Sequence, residues 1–386
     1  MHSMKIRSYI AIVSLIILSA CNTVEARKTT DKTYLVSAEK KSTQSADQVK
    51  ESYPMATLFI RNGYTAYRIT YNTTNTDGKE IVASGAIFVP DSKAPLPLLN
   101  YDHGTYFPSH ERNAPSYLGY GDELSVGKLF SAAGYLVVMP DYIGYGSTKN
   151  EKHPYGAYHK IAVSVIDMLR AVKEFCGKND IALSGKNFFS GWSEGAAVAL
   201  ATVKALEEDD SDEFTPTTSV LNAGPYYTSG FVDNILDSKE PLRYMGSYAW
   251  ILQSYNRIYN INKPTSYYFN EPDATNLKED PQAYVSHDPQ ELFKESFRES
   301  YKAGKDTALK NAFLDNDLWD WKPASKIVFC HGDKDDYVPV FNSQKAYDAM
   351  KAKGADVELK IFAGQNHSSG ALQYAQQLLL NFGKAK

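Results

Sequence analysis

The chain has little of several features that would assign it to other classes of protein. Its 386 residues include three cysteines, too few for the disulfide framework of a small secreted domain. The 41 lysines and arginines form no cluster and the formal net charge is −4, so the charge pattern gives no indication of nucleic-acid binding. No segment repeats along the sequence, which excludes a repeat architecture. The apolar fraction, 43%, is ordinary and permits a large folded core.

Long apolar runs are also scarce. The run near the N-terminus, Tyr9–Leu18, is too short to span a bilayer as a helix with ordinary flanks. It follows Lys5 and Arg7 and leads into Ser19-Ala20-Cys21, an arrangement typical of an export signal. The segment resembles the signal of bacterial lipoproteins, in which small residues precede a cysteine that becomes the lipidated first residue of the mature protein.

This resemblance implies that residues 1–20 are a lipoprotein signal peptide and that Cys21 carries the lipid. The mature protein would then be exported and anchored to a membrane, with the outer membrane or the cell surface as the expected location. The alternative is an ordinary secretory signal, cleaved after Ala20 or near Ala26. Residues 21–50 are polar with one aromatic, so the composition predicts a flexible tether.

Beyond residue 50, strand-like and helix-like runs alternate, which predicts an α/β fold with a mostly parallel central sheet and helices on both faces. The strand-like runs are Tyr64–Asn72, Glu80–Val89, Leu96–Tyr101, Tyr135–Met139, Lys186–Ser190, Ser219–Ala223, Lys326–Cys330 and Val357–Phe362. The helix-like runs are Asp122–Ala133, His159–Cys176, Ala196–Leu206, Asn342–Lys353 and Gly370–Phe382.

The alternation stops over residues 226–325, which contain ten tyrosines. Helical spacing in Arg243–Tyr259 predicts a mainly helical insertion that lies over the sheet as a cap. The core would then comprise residues 51–225 and 326–386. We expect most aromatic residues of the insertion to form its own small core and a minority to face a pocket.

A candidate nucleophile stands in Gly191-Trp192-Ser193-Glu194-Gly195, which spells G-x-S-x-G between a strand-like and a helix-like run. A serine at such a sharp turn presents its hydroxyl, and the N–H groups at the helix start face an incoming oxyanion. A chain of this length matches the pentapeptide by chance roughly one time in ten. The interpretation therefore depends on finding a base and an acid elsewhere.

The base and the acid have candidates in two later loops. His367 follows the last strand-like run, where α/β sheets build sites, although a lone loop histidine is equally often an exposed residue. The loop after Lys326–Cys330 holds three carboxylates that compete for the role of the acid, Asp333, Asp335 and Asp336. The alternative interpretation is that this loop is a solvated acidic loop without a catalytic role.

The order of these elements resembles the α/β-hydrolase family across Tyr64–Phe382. In that family the acid precedes Val-Pro by three positions, which here selects Asp335. The resemblance implies a triad in which Ser193 is the nucleophile, His367 the base and Asp335 the acid.

The same resemblance locates the oxyanion hole, which needs two N–H donors. One donor is the amide of Glu194, directly after the nucleophile. The other comes from the loop after the first buried strand, where His103-Gly104-Thr105 departs from the family pattern because a threonine replaces the second glycine. We expect the amide of Thr105, with Gly104 in reserve, and we expect His103 to be a packed loop residue.

A narrower resemblance is carried by Ala83–Pro90, Pro140–Ser147 and His153-Pro154-Tyr155, which are similar to segments of the secretory lipase branch and of related bacterial lipoprotein esterases. Members of that branch act on carboxylic esters and acylglycerols, often beneath a helical lid. These segments are expected to shape the loop beside the site.

The resulting hypothesis is an exported serine esterase or lipase that acts on a small-molecule ester without a metal or an organic cofactor. Because His367 must be neutral to accept a proton, activity is expected to fall in acid. One alternative is a prolyl-type serine peptidase, with an acidic residue of the cap (Glu240, Glu271, Asp273 or Glu279) holding the peptide N-terminus. Another is a non-catalytic surface binding protein on the same fold. The sequence leaves the oligomeric state open.

Overall fold

A nine-stranded sheet organises the residues that the computed structural model describes, which are 32–119, 121, 123–209 and 212–385. Its strands are β1 Leu35–Gln44, β2 Tyr64–Thr74, β3 Glu80–Pro90, β4 Leu96–Asp102, β5 Leu136–Pro140, β6 Leu183–Trp192, β7 Pro216–Asn222, β8 Lys326–Gly332 and β9 Val357–Phe362. Their order across the sheet is β1-β2-β3-β5-β4-β6-β7-β8-β9. The pairs from β1 to β5 are antiparallel and those from β5 onward are parallel, which confirms the predicted mostly parallel sheet.

Thirteen α-helices accompany the sheet in the described residues. They are α1 Ala46–Ser52, α2 Leu124–Ala132, α3 Tyr158–Lys178, α4 Glu194–Glu208, α5 Thr228–Asp237, α6 Met245–Ile258, α7 Thr265–Tyr268, α8 Asp273–Glu279, α9 Pro289–Leu292, α10 Glu295–Lys302, α11 Thr307–Asp315, α12 Phe341–Ala352 and α13 Ala371–Ala385. Helices α2 and α13 pack in one core cluster, and α3, α4 and α12 in the clusters on the opposite face. Within the described ranges, none of these helices is both long and apolar enough to cross a membrane.

The central strands are buried on both faces. Every residue of β4 and of β5 is buried, as expected where helices cover a parallel sheet from both sides. Helix α3 has the complementary pattern, because the apolar stripe with Val165, Leu169 and Val172 packs on the sheet while Lys173 faces solvent. Cys176 and Cys330 are both buried free thiols.

The strand order places a switch point at β4. Since β4 lies between β5 and β6, the connections after β4 and after β6 leave in opposite directions, through α2 on one face and α4 on the other. Open α/β sheets bind ligands at the carboxyl ends of strands beside such a point. The loop after β4 and the turn after β6 meet there.

The insertion is helical, as predicted. Helices α5 to α11 lie between β7 and β8, and their aromatic side chains form a core of their own that includes Tyr255, Tyr268, Phe269 and Phe297. Val338, from the loop after β8, packs into this same core, so the cap is joined to the loop that holds the candidate acid.

The predicted tether needs correction over residues 35–50. Residues 1–31, which include the predicted signal peptide and Cys21, lie outside the described residues. Strand β1, however, pairs with β2 from Leu35 to Gln44, and α1 follows with a capping box at Ser45 and with Val49 buried. The carboxylate of Glu174 accepts hydrogen bonds from the N–H groups of Tyr34 and Leu35, at 2.8 and 2.9 Å. An edge strand is stabilised by main-chain pairing, so polar composition on its exposed faces does not prevent it from forming.

Candidate active site

Ser193 occupies the sharp turn between β6 and α4. Its backbone has φ 58° and ψ −123°, a strained conformation that a surrounding structure must enforce, and its N–H donates to the carbonyl of Asn222 at 2.8 Å. The turn is tight on both sides. A Cβ on Gly191 would lie 2.3 Å from the carbonyl oxygen of Gly195, and a Cβ on Gly195 would lie 2.1 Å from that of Asp102. The two glycines of the motif are therefore required by close backbone approach.

The candidate base and acid are hydrogen-bonded to each other. Nδ1 of His367, in the loop after β9, lies 2.7 Å from Oδ2 of Asp335, in the loop after β8. The other carboxylate oxygen accepts from the N–H groups of Tyr337 and Val338, at 2.9 and 2.8 Å. The Asp335 side chain has no solvent exposure and that of His367 has 10%. Because the carboxylate only accepts, it holds His367 with the proton on Nδ1 and leaves Nε2 available as a base.

A second histidine supports the same carboxylate. His331, wholly buried at the end of β8, places its Nε2 2.7 Å from the carbonyl oxygen of Val338 and 3.2 Å from Oδ2 of Asp335. Its Nδ1 lies 2.7 Å from the hydroxyl of Ser343. Burial raises the pKa of Asp335, but hydrogen bonds from His331 and His367 outweigh it, so the net pKa lies below the ordinary aspartate value. The carboxylate is therefore ionised throughout the neutral range.

The two competing aspartates are engaged elsewhere. Asp333 accepts a hydrogen bond from the N–H of Gly364 at 2.6 Å, and Asp336 lies 3.5 Å from the guanidinium of Arg243. Of the three carboxylates in this loop, only that of Asp335 is hydrogen-bonded to His367.

Ser193 and His367 lie near each other in the described structure, but they are not hydrogen-bonded. The ring of Trp192, next to Ser193, is 6.5 Å from the His367 imidazole, and the ring of Tyr337, which lines the cavity at Ser193, is 4.9 Å from it. No hydrogen bond joins the Ser193 hydroxyl to the imidazole in the described part of the chain, an arrangement common before substrate binds.

The loop after β4 narrows the choice of oxyanion donors. A Cβ on Gly104 would lie 3.8 Å from that of Ser193, so this loop borders the nucleophile. The N–H of Gly104, however, donates to Oε1 of Glu123 at 3.1 Å, which removes it as the reserve donor. The Thr105 hydroxyl donates to Tyr155 Oη at 3.1 Å, so Thr105 is held in place at the site. The amides of Glu194 and Thr105 remain the candidates.

His103 is buried in this loop, with Nδ1 2.7 Å from the carbonyl oxygen of Gly104 and Nε2 3.1 Å from that of Asp141. Burial lowers the pKa of His103 to about 4. Asp141, from the segment similar to secretory lipases, accepts hydrogen bonds from the hydroxyl of Ser84 and the N–H of Ser116, at 2.5 and 2.7 Å. Both residues brace the loops beside the site.

A narrow cavity of about 20 Å³ lies at Ser193. Its wall is largely apolar or aromatic: Thr105, Tyr155, Tyr158, Glu194, Pro225, Phe231, Tyr248, Ile251, Tyr337 and Val338. None of the cap acids considered for a peptidase (Glu240, Glu271, Asp273, Glu279) is among these lining residues. Tyr248 and Ile251 also line a second narrow cavity of about 20 Å³, apolar and within the cap.

Several residues of the site carry no signal in the sequence. The hydroxyl of Tyr374, on α13, donates to the carbonyl of Gly191 at 2.9 Å and so fixes the strand that leads to Ser193. Tyr337 forms hydrogen bonds with Ser247 and with Tyr248 of the cap. These contacts join segments far apart in the chain, and no spacing rule predicts them. His331 alone had a signal, since it belongs to the same loop motif as Asp335.

The fold, the strand-to-helix turn at Ser193 and the later histidine loop define the chain as an α/β-hydrolase. Within that class, the family model for secretory lipases matches residues 120–379, more than half of the chain. The chain therefore belongs to the secretory lipase family. Membership supports carboxylic ester hydrolysis as its activity and export as its fate.

Solved structures agree with this fold. A putative hydrolase from Legionella pneumophila superposes with a TM-score of 0.80 at 22% identity, covering 91% of this chain and 98% of that one. The rice cell wall degrading esterase LipA from Xanthomonas oryzae gives 0.75 at 22% identity, with 91% and 99% covered. Candida antarctica lipase A gives 0.65 at 14% identity, with 91% and 82% covered. No curated protein matches the sequence.

Proposed function

We propose that the protein is a serine hydrolase that cleaves carboxylic esters through an acyl-enzyme. The hydrogen bond between His367 and Asp335, on two loops at the sheet edge that carries the Ser193 turn, is the observation that supports this proposal most directly. A buried ionised carboxylate, an oriented imidazole and a serine in a strained turn are the components of nucleophilic acyl transfer.

The reaction begins as Ser193 Oγ attacks the ester carbonyl while Nε2 of His367 takes its proton. The oxyanion of the tetrahedral intermediate is held by the amides of Glu194 and Thr105. When the intermediate collapses, the imidazolium returns the proton to the leaving alkoxide and an acyl-Ser193 ester remains. Water, deprotonated by His367, then attacks this ester, and the acid and free Ser193 are released.

The test is a p-nitrophenyl ester series from acetate to long-chain acyl groups, with a proline p-nitroanilide beside it. We expect ester turnover that Ser193→Ala lowers by about 10⁴-fold or more, together with labelling by a fluorophosphonate probe in the wild type only. Ser184→Ala, at the exposed start of the same strand, is the matched control. Wild-type turnover in Ser193→Ala would refute the mechanism, and turnover of the anilide alone would favour the peptidase.

We further propose that the enzyme is a lipoprotein held at the outer membrane or the cell surface by lipid on Cys21. The order of a positive start, a short apolar run and small residues before Cys21 supports this anchoring. Cys21→Ser should abolish metabolic labelling with radioactive palmitate and move the enzyme from the membrane to the soluble fraction. Unchanged labelling of that variant would exclude lipidation at this residue.

A further inference from the structure

A buried imidazole–carboxyl contact lies directly behind the nucleophile. His153 follows β5 in the chain and Glu194 is the first residue of α4, and their side chains are 2% and 3% exposed. Nε2 of His153 lies 3.1 Å from Oε1 of Glu194, and Nδ1 of His153 lies 2.7 Å from the carbonyl oxygen of Ile143. This pair takes no part in the chemical steps described above.

The two contacts of the ring determine where its protons are. A carbonyl oxygen can only accept, so Nδ1 carries a hydrogen and donates it to Ile143. Nε2 and a carboxylate oxygen are both acceptors when deprotonated, so their contact contains one further proton, held by the ring or by the carboxyl group. Loss of that proton would set a lone pair against a negative charge in a site without solvent, which is costly.

The carboxyl group of Glu194 depends on this contact. Within the described ranges, the N–H of Gly156 is the one other group that reaches Oε1, at 3.4 Å. The other oxygen, Oε2, is buried and has no hydrogen-bond partner among the described residues. The orientation of the Glu194 side chain is therefore fixed chiefly by the ring of His153.

Glu194 also supplies the amide that follows the nucleophile. Its side chain and its N–H belong to one residue at the first turn of α4, so we expect loss of the side-chain contact to loosen the amide as well. We propose that His153 is a positioning residue for ester hydrolysis, acting through a proton shared with Glu194 to hold the oxyanion donor in place. This inference rests on the proposed function.

The groups around the pair do not replace this proton. The pair is faced by His103, Tyr142, Tyr145, Tyr155, Tyr158 and Tyr337, and by Trp250 of the cap. The guanidinium of Arg257 donates a hydrogen bond to the His153 carbonyl at 3.1 Å. Burial raises the pKa of each of these five tyrosines and lowers that of His103 to about 4. The guanidinium of Arg257 stays charged and is engaged with that main-chain carbonyl.

The decisive variant is Glu194→Gln. Its side-chain amide donates to Nε2 of a neutral His153, which preserves the contact without an ionisable proton. We expect kcat of Glu194→Gln to exceed that of Glu194→Ala by about tenfold or more, because the glutamine keeps the contact with His153 and the alanine removes it, while the fall of kcat in acid remains in both. Equal losses of kcat in Glu194→Gln and Glu194→Ala would overturn the proposal.

His153→Ala tests the same contact from the other side. We expect kcat to fall about 10- to 100-fold with KM within about twofold, because a displaced oxyanion donor affects the transition state more than substrate binding. If His153 acts through Glu194, the double variant with Glu194→Ala should lose no more than either single variant. Losses that multiply, or an unchanged kcat in His153→Ala, would contradict it.

Two controls separate this inference from the proposed function. His110→Ala removes an exposed imidazole outside the site and should leave kcat unchanged. His153→Ala should still react with the fluorophosphonate, more slowly, because Ser193 is intact. A wild type that does not react would refute the serine mechanism and this inference together, whereas normal labelling with normal kcat in His153→Ala would refute the inference alone.

Discussion

Asp335 combines complete burial with a full set of hydrogen-bond donors. Two backbone N–H groups hold one oxygen, and the imidazoles of His331 and His367 approach the other. A buried charge is tolerated only when it is paired in this way, and here the pairing lowers its pKa despite burial. In the mechanism proposed above, the residue supplies both orientation for His367 and a fixed negative charge for the imidazolium.

Asp335→Asn should lower kcat by about 10³- to 10⁴-fold while KM changes little. The asparagine oxygen still accepts from Tyr337 and Val338, but its NH₂ group points at Nδ1 of His367 and makes that nitrogen an acceptor. The ring then carries its proton on Nε2, where it cannot take one from Ser193. The ester series measures this loss, and Asp333→Asn is the matched control. A kcat within tenfold of wild type would exclude Asp335 as the acid.

The lowered pKa of Asp335 has a consequence for stability. Because the folded-state pKa lies below the unfolded value of about 3.9, the residue contributes fully above that pH, and its contribution is lost as pH falls through the folded-state value. Asp335→Asn should therefore lose less free energy of unfolding than the wild type between about pH 5 and pH 2. Urea unfolding at several pH values measures the difference.

Some features of the site can be predicted from the sequence and others cannot. Ser193, Asp335 and His367 stand in motifs with a fixed spacing to a strand end, so the sequence indicates each of them. The N–H of Gly104 donates its hydrogen bond to Glu123, which is 19 residues away in the sequence. His153 and Glu194, whose side chains are in contact, are 41 residues apart. Such contacts arise from the packing of loops, which residue spacing does not encode.

At the scale of elements, the β6–Ser193–α4 turn is the most tightly constrained unit. Gly195→Ala should abolish ester turnover and lower the free energy of unfolding by about 2 kcal/mol or more, because its Cβ would lie 2.1 Å from the carbonyl oxygen of Asp102. Gly177→Ala, in α3, is the control: nothing lies within 4 Å of its Cβ, and alanine favours a helix by about 0.5–1 kcal/mol. An active, stable Gly195→Ala would show that the turn can relax.

The elements that pack on the core are the most readily predicted, because that packing requires apolar residues at a regular spacing. The apolar runs behind β4 and β5 and the stripe of α3 are of this kind. Strand β1 is the contrary case, since nearly all of its side chains are exposed and its Lys, Ser and Thr residues resemble a linker. Its partner strand and Glu174 of α3 define it, and neither is local in the sequence.

Across the whole molecule, the cap and the core meet at Ser193. Tyr337, in the loop after β8, forms hydrogen bonds with Ser247 and Tyr248 of α6, and its ring stacks on that of Tyr244 at 3.8 Å. Helix α6 also forms the wall between the cavity at Ser193 and the apolar cavity within the cap, through Tyr248 and Ile251. If the proposed reaction takes place at Ser193, we expect the cap to limit how far an acyl group extends from that residue.

Ile251→Ala should join the two cavities and change acyl-chain preference. The ratio of kcat/KM for octanoate over acetate is expected to rise about tenfold, because extra methylenes gain an apolar wall while the acetate ester is unaffected. Ile258→Ala is the matched control, since it truncates the same residue type on the same helix but faces a polar cleft away from Ser193. Equal ratios in both variants would mean that the acyl group leaves Ser193 in another direction. A lower ratio in Ile251→Ala would mean that Ile251 itself holds the chain.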